Sequence, residues 1–160
     1  MKALYWIAFA AFMTVAGFIQ AQSPRNQAID QKPARERLIG AWRLVHIESP
    51  GPDKKSVDLP QPIGMLIYTR DGHMSVQLMY PKLANVPSNE YVQDGYEASF
   101  GSYEVNEATH TLTHHVQGSN TRDLIVGKDL PRLFNFNEKG QLVIRPARPD
   151  EHWFVIWEHY

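Results

Sequence analysis

Ile63-Gly64-Met65-Leu66-Ile67-Tyr68-Thr69-Arg70-Asp71-Gly72-His73-Met74-Ser75-Val76-Gln77-Leu78-Met79-Tyr80 is a pair of alternating runs on either side of one Asp-Gly step. Apolar–polar alternation marks a half-buried strand. Asp-Gly between two such runs is the strongest short-range hairpin signal, because both central turn positions need positive φ. A two-residue turn at Asp71-Gly72 pairs Arg70 with His73, Thr69 with Met74, Ile67 with Val76 and Met65 with Leu78. Directly paired residues share a face. Met65, Ile67, Met74, Val76 and Leu78 are therefore expected inside, and Tyr68, Arg70, His73, Ser75 and Gln77 outside.

Two more hairpins follow the same logic. Residues 100–116 turn through Asn106-Glu107-Ala108-Thr109, with Val105 expected opposite His110. That puts Gly101, Tyr103, Leu112 and His114 on one face, and Phe100, Ser102, Glu104, Thr111, Thr113 and His115 on the other. Residues 132–145 turn at Glu138-Lys139-Gly140, where Gly140 suits the positive-φ place of a three-residue loop. Asn137 then faces Gln141, and Phe134, Phe136, Leu142 and Ile144 share the buried side. Runs at 40–48 and 152–160 bring the strand count to eight, in sequential hairpin order. The expected fold is all-β: an eight-stranded antiparallel up-and-down barrel with short helical pieces in its loops. Such a barrel is just wide enough for packed side chains or one small ligand, and closure removes exposed edges. A two-sheet sandwich is the structural alternative, since alternation alone does not separate the two. Three long connections, 49–62, 81–97 and 118–131, are expected on the surface, gathered at the barrel mouth.

The first residues have a different character. Lys2 is followed by an uncharged apolar run over 3–19 and then by the small residue Ala21. This is the order of an export signal, expected to end after Ala21 or Ser23; a retained membrane anchor is the rival reading. The expected organisation is a signal peptide over 1–21, a flexible leader with a possible short helix over 22–37, and a barrel over 38–160. With no cysteine in the chain, an exported domain has to be held by its core. Apolar residues make up 43% of the chain, enough to build that core. A formal net charge of −1 argues against nucleic acid, which demands a basic face. No stable membrane anchor is expected after cleavage, and nothing in the pattern settles oligomeric state.

Leu38-Ile39-Gly40-Ala41-Trp42-Arg43-Leu44 resembles the first strand of lipocalins, where a Gly-x-Trp lays its indole across the closed barrel end. Pro62-Ile63-Gly64-Met65-Leu66-Ile67-Tyr68-Thr69 with Asp71-Gly72, Phe100-Gly101-Ser102-Tyr103-Glu104-Val105, Thr113-His114-His115-Val116 and Gly127-Lys128-Asp129-Leu130-Pro131-Arg132 follow in the same order. Together they are similar to the bacterial and fungal lipocalin-like domain family, a calycin-type barrel. The resemblance implies a small hydrophobic molecule held in the barrel. It also implies a basic residue from the last strand packed on Trp42, a place where this chain offers His159.

Seven histidines leave one adjacent pair, His114-His115, whose side chains must point to opposite faces of a strand. Taking Trp42 as inward makes Leu44 and His46 inward too. His46 and His114 are then the interior imidazoles, with Tyr80 and Tyr103 as interior hydroxyls. One reading is a satisfied polar network within the core. The other is a pair that orients a ligand's polar end or moves protons. The candidate ligand-binding set is Trp42, His46, Met65, Ile67, Met74, Val76, Leu78, Tyr80, Tyr103, Leu112, His114, Phe134 and Phe136. Neither a nucleophile elbow nor a phosphate loop, dinucleotide fingerprint or metal-ligand spacing is present, so no catalytic residue, metal or cofactor is assigned. The first functional reading is a periplasmic or secreted carrier of a small hydrophobic molecule. The second is a cofactor-free isomerase, cyclase or hydrolase using facing imidazoles on a hydrophobic substrate.

Overall fold

A computed structural model describes residues 32–49, 60–82 and 86–160. The expected signal peptide, most of the leader and most of the 49–62 connection lie outside the described residues. Eight strands follow one another: β1 (Gly40–Glu48), β2 (Ile63–Tyr68), β3 (His73–Met79), β4 (Tyr96–Asn106), β5 (Thr111–Ser119), β6 (Asp129–Phe136), β7 (Leu142–Pro146) and β8 (Phe154–His159). Each pairs antiparallel with the next, and β8 returns to β1, so the sheet is a closed barrel rather than a sandwich. Helix α1 (Ala34–Leu38) precedes β1, and the single turn α2 (Arg122–Ile125) sits between β5 and β6.

The first hairpin turns in a different way from the expected one. Thr69 N–H donates to the His73 carbonyl at 2.9 Å, and Tyr68 pairs with Met74, Leu66 with Val76 and Gly64 with Leu78. The loop therefore holds three residues, 70–72, with Gly72 at φ 90°, the left-handed place of such loops. One extra loop residue reverses the parity of β2 alone. Met74, Val76 and Leu78 are buried as expected, but their neighbours are Leu66 and Tyr68. Met65 and Ile67 face outward, and Met65 is 38% exposed. Both leave the candidate set, and Tyr68, expected outside, belongs to the core.

In the second hairpin Val105 pairs with Leu112 rather than with His110, and Tyr103 pairs with His114. The register differs by two residues, a full strand period, so every side chain keeps its expected face. The third hairpin has the expected register: Phe136 faces Leu142, Phe134 faces Ile144, and Gly140 takes φ 75°.

β1 carries the other correction. It pairs with β8 from Trp42–His159 to Leu44–Trp157 and resumes at His46–Ile156, leaving Val45 as an extra residue. This bulge reverses the alternation beyond Leu44. Ile47 packs inward, while His46 lies outside, its side chain 41% exposed beside Glu48 and the Phe154 ring.

The connectivity gives the barrel two unlike ends. Tight turns at 69–72, 107–110 and 137–141 lie at one end together with α1. The Trp42 indole spans that end, donating from Nε1 to the Leu38 carbonyl at 2.7 Å. The His159 ring stacks on it at a centroid separation of 3.6 Å, the place where the lipocalin resemblance expects a basic side chain. Phe134, Phe136, Tyr103 and Leu112 fill the space above. The Arg37 guanidinium covers the Phe136 ring at 3.8 Å. The longer connections gather at the opposite end.

Candidate ligand-binding cavity

Above this packed floor, the other half of the barrel encloses a cavity of about 110 Å³. Leu66, Val76, Leu78, Ile144, Val155 and Trp157 supply its apolar wall from β2, β3, β7 and β8. Ile47, Tyr80, Tyr91, Val92, Leu130 and Trp153 narrow it toward the loop end. An engineered apolar cavity of roughly 150 Å³ accepts benzene, so the space is of the order of a small ring or a short chain.

His114, Tyr80, Glu97 and Arg132 bring titratable groups into this wall. His114 projects from β5, and its Nε2 shares a 2.7 Å hydrogen bond with the Tyr68 hydroxyl, the donor being set by the imidazole tautomer. Burial, reinforced by the Arg132 charge and by His115, pushes the His114 pKa down to about 3, so the ring is neutral. Burial likewise holds the Tyr68 hydroxyl well above the usual tyrosine value. Tyr80 is pushed up to about 12 by burial and by the Glu97 charge. Glu97, on β4, is pushed up to about 7 by burial, with Arg132 pulling the other way. Arg132, on β6, keeps only 6% of its side chain exposed.

The mouth is braced by a polar cluster from two loops. Arg148 pairs with both Glu90 and Glu151. Glu151 Oε2 also accepts from Trp153 Nε1 at 2.6 Å and from the Tyr91 hydroxyl at 3.3 Å. These contacts tie the 86–95 and 147–153 connections together beside Arg132.

Of the sequence-derived set, Val76, Leu78, Tyr80 and His114 line this cavity. Trp42, Met74, Tyr103, Leu112, Phe134 and Phe136 are interior but belong to the packed half. Tyr103 spends its hydroxyl on the Thr69 carbonyl at 2.8 Å. His46, Met65 and Ile67 are on the outside. The facing pair of interior imidazoles therefore does not exist: His114 has Tyr68 as its partner, and His46 is across the wall. Sequence reasoning missed Leu66, Glu97 and Arg132. Alternation held the signal for the two charges, since Glu97 shares parity with Tyr103, and Arg132 with Phe134 and Phe136.

A family model described as a lipocalin-like domain matches residues 39–158, from the residue before β1 to the penultimate residue of β8. The chain belongs to the lipocalin-like domain family. No curated protein matches the chain. In this lipocalin-like barrel the family match spans both the Trp42 end and the cavity.

Proposed function

We propose that this protein is an exported carrier that binds a small, largely apolar molecule in the loop-end half of its barrel. The cavity carries the reading: six aliphatic and aromatic side chains from four strands line space that a fully packed barrel would fill. Burying a ligand there removes apolar surface from water on both sides, worth about 25 cal/mol per Å². A few fixed polar groups at one end supply orientation, as small-molecule sites usually do. Export is supported by the apolar run over 3–19 and the small residue Ala21 behind Lys2. No observation favours the enzyme reading over binding, because the two-imidazole pair that motivated it is split by the barrel wall.

The test is native mass spectrometry of the protein recovered from an exporting host, followed by titration with the small neutral fluorescent probe 1-naphthylamine. A chain beginning at Gln22 with a copurified small molecule, or saturable probe binding, is the expected result. Val76→Phe places a ring in the cavity and should abolish probe binding while leaving the fold intact. A ligand-free spectrum together with no probe binding would refute the carrier reading.

A further inference from the structure

Arg132 is a charge in an expensive place. Its side chain is almost wholly inside the barrel, where an ion is tolerated only if it is paired and its donors are used. A guanidinium has five N–H donors in a fixed planar fork. Among the described residues, its Nη1 donates to the adjacent Pro131 carbonyl at a long 3.4 Å, and it also hydrogen-bonds the Tyr91 hydroxyl, pulling that group's pKa down against the effect of burial. The nearest carboxylate oxygen, Oε2 of Glu151, stands at 3.9 Å, beyond hydrogen-bond reach.

Glu151 is also already engaged. Arg148 holds one of its oxygens, and Trp153 and Tyr91 donate to the other. It offsets part of the Arg132 charge through space without using the fork. The rings of Trp153 and Tyr91 lie 4.9 and 5.2 Å from the Arg132 carbon Cζ, so aromatic groups cover the guanidinium. Cation–π contacts of this kind hold the plane in position and use its face. With two of the five donors engaged by Pro131 and Tyr91, the rest of the donor-bearing edge has no protein acceptor among the described residues. Arg132 lines the same cavity as Val76, Leu78 and Ile144. Glu97 faces that cavity too but forms no ion pair with Arg132 among the described residues.

Accepting the carrier reading, on which this step rests, we propose that the ligand is an amphiphilic acid, its carboxylate received by the edge of Arg132 and its apolar body lying along the wall. Arg and carboxylate match as two parallel N–H···O bonds, which neither an alcohol nor an ester reproduces. The guanidinium is already largely withdrawn from bulk water, so most of the desolvation still to be met falls on the ligand's carboxylate. A hydrogen bond to a charged group contributes roughly 1.5–3 kcal/mol. At 1.4 kcal/mol per decade, that is about ten- to hundredfold in affinity.

Two matched pairs test this: octanoate against 1-octanol, and 3-phenylpropanoate against 3-phenylpropan-1-ol. Each is followed by quenching of tryptophan fluorescence, since Trp153 and Trp157 line the cavity. The acid of each pair should bind at least about tenfold tighter than its alcohol at pH 7.5. Arg132→Gln should erase that preference while retaining alcohol binding; retained alcohol binding also shows that the variant is folded. Should Arg132→Gln not fold, the wild-type comparison still decides on its own. Equal affinity for acid and alcohol would overturn the carboxylate assignment and leave the carrier reading standing. A preference that persists in Arg132→Gln would overturn the role given to Arg132. Failure of all four compounds and of the neutral naphthylamine probe would overturn both readings together.

Discussion

Glu97 is a carboxyl group whose environment works against its charge, and that makes it a stability reporter. Burial pushes its pKa up to about 7, against 4.5 for a free side chain, while Arg132 pulls it partly back. The folded state therefore binds a proton that the unfolded state has released over that interval. Its contribution is fully present below pH 4.5, is lost as pH rises to about 7, and stays lost above. Glu97→Gln keeps the shape and removes the titration. The thermal midpoint of the wild type should fall relative to that variant between pH 4.5 and 7, by the equivalent of a few kcal/mol. Parallel midpoint curves over this window would show that Glu97 is not held in the cavity. The same residue shows what was legible at this scale. Tyr103 was read as inward, and Glu97 lies three alternations earlier on one unbroken strand, as Arg132 lies one before Phe134. Period-two parity placed both charges inside. A charged side chain is rarely buried without a close partner, so residue type argues for an outward place that parity overrides here.

At the scale of elements, the eight strands and their order were readable because turn chemistry and alternation agree at most positions. What alternation does not resolve is a single extra residue. Two such residues, one in the 70–72 loop and one at the Val45 bulge, account for the four inverted side chains: Met65, Ile67, Tyr68 and His46. Asp-Gly is compatible with both a two-residue turn and the end of a three-residue loop, since either puts glycine at positive φ. The second hairpin also differs from the expected register, but by two residues, which leaves every face unchanged. Gly72 tests the loop assignment. At φ 90° a side chain is strained, although a Cβ there would meet only the Tyr103 carbonyl, at 3.9 Å. Gly72→Ala should therefore cost about 1–2 kcal/mol for conformation alone, read as a lower urea midpoint. An unchanged midpoint would mean that the loop relaxes into another turn, and with it the parity of β2.

Over the whole molecule, connectivity separates what holds the barrel from what the barrel holds. The four closed-end features, α1, the Trp42–His159 stack, the Phe134–Phe136 pair and the Tyr68–Tyr103 contact, form one dense floor. The opposite half leaves its strands lined but its centre unfilled, and the loops tied by Arg148, Glu90 and Glu151 stand over it. Interiors are close-packed, so atoms deleted from the floor leave a void that neighbouring side chains fill only in part. Phe134 is almost fully buried in that floor and does not line the cavity. Phe134→Ala should cost about 3–5 kcal/mol in denaturant unfolding. Under native conditions its affinity for the naphthylamine probe should match that of the wild type. Val76→Phe is the mirror image, with binding lost and the unfolding midpoint held or raised as the cavity fills. The two variants together separate a barrel with a dedicated floor and a dedicated cavity from one continuous adaptable interior. In the continuous case, Phe134→Ala would change probe affinity and Val76→Phe would destabilise the fold, each carrying the other's signature.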